Sequence, residues 1–180
     1  MQVMSARPVP GRHVPSRAGP PPPVRPVQAG ELVLAGAHGG AGVTTLAVLL
    51  APAWDMGTPR GSRRGFPRLR PGGRPVVLVT RNTVPASGWA VAAVNAITQT
   101  GVRIAVLAVV SDGLPEPAEA AYRFRLAESR VGGIVRVPFV PLLRVTDHPA
   151  HLPLPRAARR ALAEIRALAH AAHPVPMKNP

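Results

Sequence analysis

Short apolar runs alternate with amphipathic segments along most of this chain of 180 residues. Apolar runs over residues 31–36, 75–80, 102–110 and 134–137 predict four strands, and the nearly all-apolar third run indicates a strand that is covered on both faces of a sheet. Helices are predicted between and after these strands, over residues 44–54, 87–100, 116–130 and 155–172. In the second helix, Ser87 is the predicted N-terminal cap and Gly101 the residue that ends it. This alternation predicts an α/β fold with a doubly wound, mostly parallel sheet.

Two stretches interrupt the alternation. Residues 1–28 contain eight prolines, which exclude a helix or a central strand there. Residues 57–74 are rich in glycine, proline and arginine and are too polar and too long for a compact connection. We therefore expect a disordered Pro/Arg-rich tail at 1–30 and one domain at 31–172. The domain contains a flexible Arg/Gly-rich loop at 57–74, and a second disordered tail follows at 173–180.

The net charge of +14 is concentrated in these two stretches. Residues 1–30 hold four arginines and residues 57–74 hold six, and neither stretch contains an acidic residue. Such segments attract polyanions, so we expect any nucleic-acid binding to be weak and non-specific. The chain has 21 arginines and a single lysine, a bias typical of a GC-rich genome such as that of actinobacteria.

Three classes of protein are disfavoured by composition. The chain has no cysteine, which excludes disulfides and zinc sites built on thiolates. Apolar stretches are interrupted well short of the about 18 residues that span a membrane. The N-terminus lacks the charged and then apolar layout of a secretory signal. We expect no membrane span and a cytoplasmic location.

A glycine-rich loop follows the first predicted strand and precedes the first predicted helix. Strand, glycine turn, paired threonines and helix is the layout of a P-loop, in which glycines let backbone N–H groups point at phosphate oxygens. The Thr44 hydroxyl stands where a P-loop binds Mg²⁺, if a nucleotide is bound. Val43 stands where a working loop has a lysine. The candidate phosphate loop comprises Gly39, Gly40, Ala41, Gly42, Val43, Thr44 and Thr45, with His38 beside it.

This segment resembles the deviant P-loop of the ParA/MinD family of ATPases, Lys-Gly-Gly-Val-Gly-Lys-Thr-Thr. His38 and Val43 replace the two lysines of that motif. The run Thr80-Arg81-Asn82-Thr83 resembles the turn after a later strand of the family. Pro138 matches the proline of a late Ile-Pro-x-Asp loop, whose Asp is replaced by Val140. The resemblance covers residues 31–55 and 75–172, and it implies a shortened P-loop NTPase-like fold.

Efficient hydrolysis is not expected from these residues. Both lysines are absent, and no strand that ends in Asp is predicted between the first helix and Val76. The resemblance then implies a non-catalytic nucleotide sensor or protein-binding scaffold, with ATP and Mg²⁺ as cofactors and another protein, or a second copy of the chain, as partner. Two alternatives remain open. One is an atypical ATPase in which an arginine replaces the lysine, and the other is a DNA-associated accessory factor for plasmid transfer or partitioning. The arginines that could replace the lysine are Arg60, Arg63, Arg64 and Arg81.

Other residue types invite weaker hypotheses. Two His-x-x-His pairs, at 148/151 and 170/173, have too few ligands for the usual zinc site. Asp55 is predicted to end a helix, and Asp112 to lie in a turn with Gly113. Trp54 and Trp89 are predicted to pack helices onto the sheet.

Overall fold

Five parallel strands form the sheet of the computed structural model, which describes residues 30–58 and 69–172. The strands lie in the order β2-β1-β3-β4-β5. The predicted α/β fold with a largely parallel sheet is confirmed, and every pairing between neighbouring strands is parallel. The strands are β1 (Leu32–Gly36), β2 (Ala53–Asp55), β3 (Val76–Arg81), β4 (Ile104–Val110) and β5 (Ile134–Val137).

In residues 30–58 and 69–172, four α-helices cover the two faces of the sheet. They are α1 (Val43–Leu49), α2 (Val84–Gln99), α3 (Ala118–Glu128) and α4 (Arg156–Ala172). Alternate residues of each central strand point to opposite faces, so Val77 packs with α1 and α4 while Val76 and Leu78 pack with α2 and α3. Two short 3₁₀ turns, Pro141–Arg144 and Pro149–His151, connect β5 to α4.

The predicted carboxyl end of the first helix is wrong. The sequence pattern extends it to residue 54, but α1 ends at Leu49. Pro52 has no amide hydrogen with which to continue a helix, and the chain passes into β2, which pairs with β1. The expectation that no strand ends in Asp after the first helix is therefore also wrong, because Asp55 closes β2.

Three further expectations need correction. Helix α2 begins three residues earlier than predicted, because Thr83 and not Ser87 caps it by accepting a hydrogen bond from the Ala86 amide. Trp54 lies on β2 and not on a helix, and the residue is 42% exposed. Trp89 is 60% exposed, so neither tryptophan packs a helix onto the sheet.

Arg74 belongs to the folded body, although the sequence places it at the end of the flexible loop 57–74. It is buried, and its Nε donates to the Glu31 carboxylate at 2.6 Å. Its guanidinium also stacks over the Trp54 ring, 4.8 Å from the ring centre. This contact joins the residue before β1 to the approach to β3.

The predicted disordered tails at 1–30 and 173–180, except Gly30, and most of the loop 57–74 lie outside the described residues. Eight of the ten arginines in the two basic stretches, including Arg60, Arg63 and Arg64, fall in these parts of the chain. Among the helices of residues 30–58 and 69–172, none is long and apolar enough to cross a membrane.

Candidate functional site

The glycine-rich loop lies at the carboxyl edge of the sheet, directly after β1. Parallel strands on both sides fix its first residues: the Gly36 amide donates to Gly57 O beyond β2, and the Ala37 amide donates to Val79 O of β3. The chain then leaves the sheet and turns back into α1 at Val43. In open α/β sheets this edge is where ligands bind.

Two glycines give the loop its shape. Gly40 and Gly42 have φ values of +72° and +99°, in the left-handed region that favours glycine. Backbone that alternates in this way turns successive N–H groups towards one concavity. Among residues 30–58 and 69–172, the amides of residues 38–45 make no hydrogen bond of ordinary length and angle, although the turn at Gly39 and Gly40 brings the Ala41 amide towards His38 O.

Two of these amides belong to buried residues. Ala41 is 1% exposed and Val43 is 6% exposed. Buried backbone N–H groups almost always have a partner. An anion held by the loop would supply an acceptor of ordinary geometry, which these donors lack within the described part of the chain.

The Val43 side chain does not face the loop opening. It packs in the aliphatic core cluster with Leu46 and Leu34. It also covers Gly36 so closely that a Cβ on Gly36 would lie 2.9 Å from Val43 Cγ2. Position 43 therefore contributes a backbone amide to the loop, while its side chain anchors the loop to the core.

His38 and Arg81 link the loop to the end of β3. The Arg81 amide donates to His38 Nε2 at 3.2 Å, so this nitrogen carries no proton and the His38 ring is the neutral Nδ1–H tautomer. Nδ1 then donates to Gly39 O at 2.9 Å. His38 holds the loop by two hydrogen bonds and supplies no positive charge in this arrangement.

Arg81 supplies the positive charge at the loop. Its Nε donates to Gly40 O at 3.1 Å, which places the guanidinium beside the loop residues. Within the described ranges Arg81 forms no ion pair with a carboxylate. Arg60, Arg63 and Arg64 lie outside the described residues. Arg81 is therefore the candidate substitute for the lysine whose position beside the loop the structure describes.

Hydroxyl and carboxylate groups at the same edge could serve a metal ion. Thr44 is exposed, and Thr45 is half-buried. Asp55 ends β2, and one of its oxygens accepts from the Gly57 amide at 2.6 Å, while the described residues provide no partner for the other. Asp112 accepts from the Leu114 amide at 2.9 Å and so closes its own turn. Each of these two carboxylates therefore keeps one oxygen without a partner in the described residues, and both are candidates to support Mg²⁺.

Asn82 is a structural residue of the site that sequence reasoning missed. It is buried directly after β3, where its side-chain oxygen accepts from the Asp112 amide and its nitrogen donates to Leu114 O. These bonds fix the loop after β4 against the end of β3. A polar residue directly after a buried apolar strand is the signal that could have identified it.

Pro138 lies on the other side of the loop, after β5. It lines a cleft of about 110 Å³ that also includes Gly42 and Thr45 of the candidate phosphate loop. Arg81 and Arg144 line the same cleft, and Arg144 stacks on Phe139 at 5.1 Å. Nearby Arg136 is bound by both oxygens of Glu116, and this side-chain hydrogen bonding raises the pKa of Arg136 above its usual value.

The histidine pairs do not form a metal centre with acidic residues in the described ranges. The rings of His148 and His151 are 5.9 Å apart between centres, and His173 lies outside the described residues. No cluster of three or more His, Cys, Asp or Glu side chains occurs in the part of the chain that the structure describes.

Comparison with protein-family models, with curated proteins and with solved structures finds no match to this chain. The resemblance of residues 37–45 to the ParA/MinD loop accordingly rests on the residues of this chain and on the position of the loop after β1.

Proposed function

We propose that this protein is a non-catalytic, P-loop-like sensor that holds the phosphate group of a ligand at residues 38–45 and does not hydrolyse it. The observation that carries the proposal is the run of loop amides that make no hydrogen bond of ordinary length and angle in the described residues, two of them buried. Amides arranged in this way bind phosphate oxygens. Nucleotides are the ligand class that the ParA/MinD resemblance implies.

Arg81 provides the charge in this proposal. A guanidinium matches phosphate geometry and forms hydrogen bonds that are stronger than those between neutral groups. Because the Arg81 main chain fixes His38 and its side chain fixes Gly40, the charge and the loop are positioned by the same residue. Arg81 replaces the missing lysine in binding the phosphate group, although it does not replace the lysine in stabilising a transition state.

We expect inorganic phosphate, pyrophosphate and ATP to bind the purified protein, as measured by calorimetry. Arg81→Gln should weaken binding about tenfold, which corresponds to about 1.4 kcal/mol, because one charge-assisted hydrogen bond is lost. This substitution leaves the main-chain hydrogen bond to His38 in place. The matched control is Arg125→Gln, an exposed position on α3, which should leave affinity unchanged. Absence of binding, or equal effects of the two variants, contradicts the proposal.

The same protein should release no phosphate above background from ATP or GTP in the presence of Mg²⁺. The transition state for phosphoryl transfer requires a preorganised lysine or its equivalent, with a metal and a water-positioning group. Turnover that disappears in both Thr44→Ala and Asp55→Asn would overturn the non-catalytic assignment. It would favour the atypical ATPase instead.

A second candidate function, a protein-binding scaffold, is favoured by the placement of the large aromatic residues. The chain has two tryptophans and one tyrosine, and all three are exposed. Trp89 on α2 and Tyr122 and Leu126 on α3 lie on two helices that pack side by side. Tryptophan and tyrosine are enriched where proteins bind each other.

Trp89→Ser tests the scaffold function. We expect it to change the free energy of unfolding by less than about 0.5 kcal/mol, because the side chain is mostly exposed. Self-association, followed by sedimentation over a concentration series, should weaken at least about tenfold, as expected for loss of an interface hot spot. A matched exposed change on α3, Arg125→Ser, should leave it unaltered. A wild-type protein that stays monomeric throughout rules out a second copy as the partner.

A further inference from the structure

The cleft beside the phosphate loop has a polar entrance and an apolar interior. Its polar lining residues are at least partly exposed: Thr45, Arg81, Ser111 and Arg144. Its deeper lining residues are buried and aliphatic, namely Leu46, Val137, Val140, Ala158 and Leu162. A ligand that fits this gradient has an anionic end at the entrance and an apolar end inside.

The two arginines at the entrance are available to an anion. Neither Arg81 nor Arg144 forms an ion pair with a carboxylate of residues 30–58 or 69–172. Arg136, also at this edge, is occupied by Glu116. Arg74 forms an ion pair with Glu31 at the amino end of β1, away from this edge. The cleft therefore combines two unpaired guanidinium groups with an aliphatic interior.

The interior does not suit a nucleobase. A base carries ring nitrogens and exocyclic groups that lose water on burial, and each such group left without a partner weakens binding. The buried lining residues offer only methyl and methylene groups. The Asn82 amide at this edge is already bonded to the loop after β4 by both of its polar atoms.

Size restricts the apolar end further. The cleft volume of about 110 Å³ is smaller than an apolar protein cavity of about 150 Å³ that accommodates benzene. A linear or branched chain of about four or five carbons is the group that fills such a space.

We infer that this cleft binds the short alkyl end of a phosphomonoester, with its phosphate at residues 38–45 and beside Arg81. The inference rests on the proposed phosphate-binding function and narrows its ligand class from nucleotides to small phosphorylated amphiphiles. Arg144 lies at the entrance, where its guanidinium stacks over the Phe139 ring and its charge attracts the phosphate. No bond is made or broken in this binding step.

The test is a calorimetric series of inorganic phosphate, methyl phosphate, butyl phosphate, 3-methylbutyl phosphate and AMP on the full chain. Each buried methylene should raise affinity about fourfold, so butyl phosphate, with three more methylenes, should bind about sixtyfold more tightly than methyl phosphate. AMP should bind no more tightly than methyl phosphate.

A matched pair of α4 variants locates the effect. Ala158→Leu fills the cleft from a buried lining position, whereas Ala163→Leu adds the same atoms at an exposed position of the same helix. Ala158→Leu should bind methyl phosphate as the wild type does, but its affinity should no longer increase with the length of the alkyl chain. Ala163→Leu should keep that gain. If Ala158→Leu does not fold, Leu143→Ser removes part of the half-buried wall and should halve the gain or more.

The outcomes separate this inference from the function on which it rests. Binding of all phosphates with equal affinity overturns the alkyl site and leaves the phosphate-binding function standing. AMP binding more tightly than butyl phosphate overturns the alkyl site in favour of a nucleotide. Absence of binding by every compound in the series overturns both.

Discussion

Replacement of Gly132 by alanine is expected to destabilise the protein by about 3 kcal/mol, as an overpacked contact that cannot relax. A Cβ at Gly132 would lie 2.5 Å from the carbonyl oxygen of Ala105, an approach that only a backbone shift can relieve. Gly132 donates to Ile104 O at 2.9 Å and so lies directly against β4 where the chain enters β5. Thermal unfolding should show a midpoint lower by about 6–12 °C for a chain of this size.

Gly133→Ala is the matched control for this substitution. Its Cβ would meet the end of the Leu168 side chain at 2.7 Å, and that side chain can rotate away. We expect a loss of about 1 kcal/mol, at the low end of overpacking costs. Equal losses for the two variants would show that β4 does not approach Gly132 as closely as described.

The second large effect is expected for the buried ion pair between Glu31 and Arg74. Glu31→Gln removes the carboxylate charge and leaves the Arg74 guanidinium buried, so the free energy of unfolding should fall by about 3 kcal/mol. Glu119→Gln makes the same chemical change in the Arg123–Glu119 pair on α3, where the glutamate is 60% exposed. Because exposed pairs contribute little, that control should change stability by less than about 0.5 kcal/mol.

A double variant checks the cause. Glu31→Gln combined with Arg74→Met removes both charges, and it should recover part of the loss because no uncompensated charge is left by this pair. In urea unfolding, the slope of the unfolding free energy against urea concentration should be the same in all variants. An unchanged slope would show that the variants alter stability and not the unfolded state. An additive loss in the double variant would contradict the electrostatic explanation.

The central strands were predictable because they are buried on both faces. β1, β3 and β4 are largely apolar runs, which is the pattern that a covered parallel sheet requires, and β5 has apolar residues on both sides of the exposed Arg136. β2 escaped prediction since it has three residues, of which Trp54 and Asp55 are exposed, and so lacks such a run. The start of α2 was missed although Pro85 in its first turn, after Thr83, is a signal of a helix start.

The candidate site also has one part that could be predicted from the sequence and one part that could not. The loop 37–45 is contiguous, so its glycine spacing is visible in the sequence. Arg81, Asn82 and Arg144 come together from separate segments, and their roles depend on the register of β3 and on the turn after β5. Arg81 is one of four arginines that could replace the lysine, and the hydrogen bond to Gly40 that distinguishes it exists only in the folded chain.

The two outer strands determine how the protein behaves when it is concentrated. An outer strand offers unpaired N–H and C=O groups to other chains, and long flat ones promote aggregation. β2 and β5 have three and four residues. Pro52 precedes β2, Pro138 follows β5, and exposed Asp55 and Arg136 add charge to these strands. These features oppose sheet extension between copies, so a filament built by edge-to-edge strand pairing is disfavoured at both sides of this sheet.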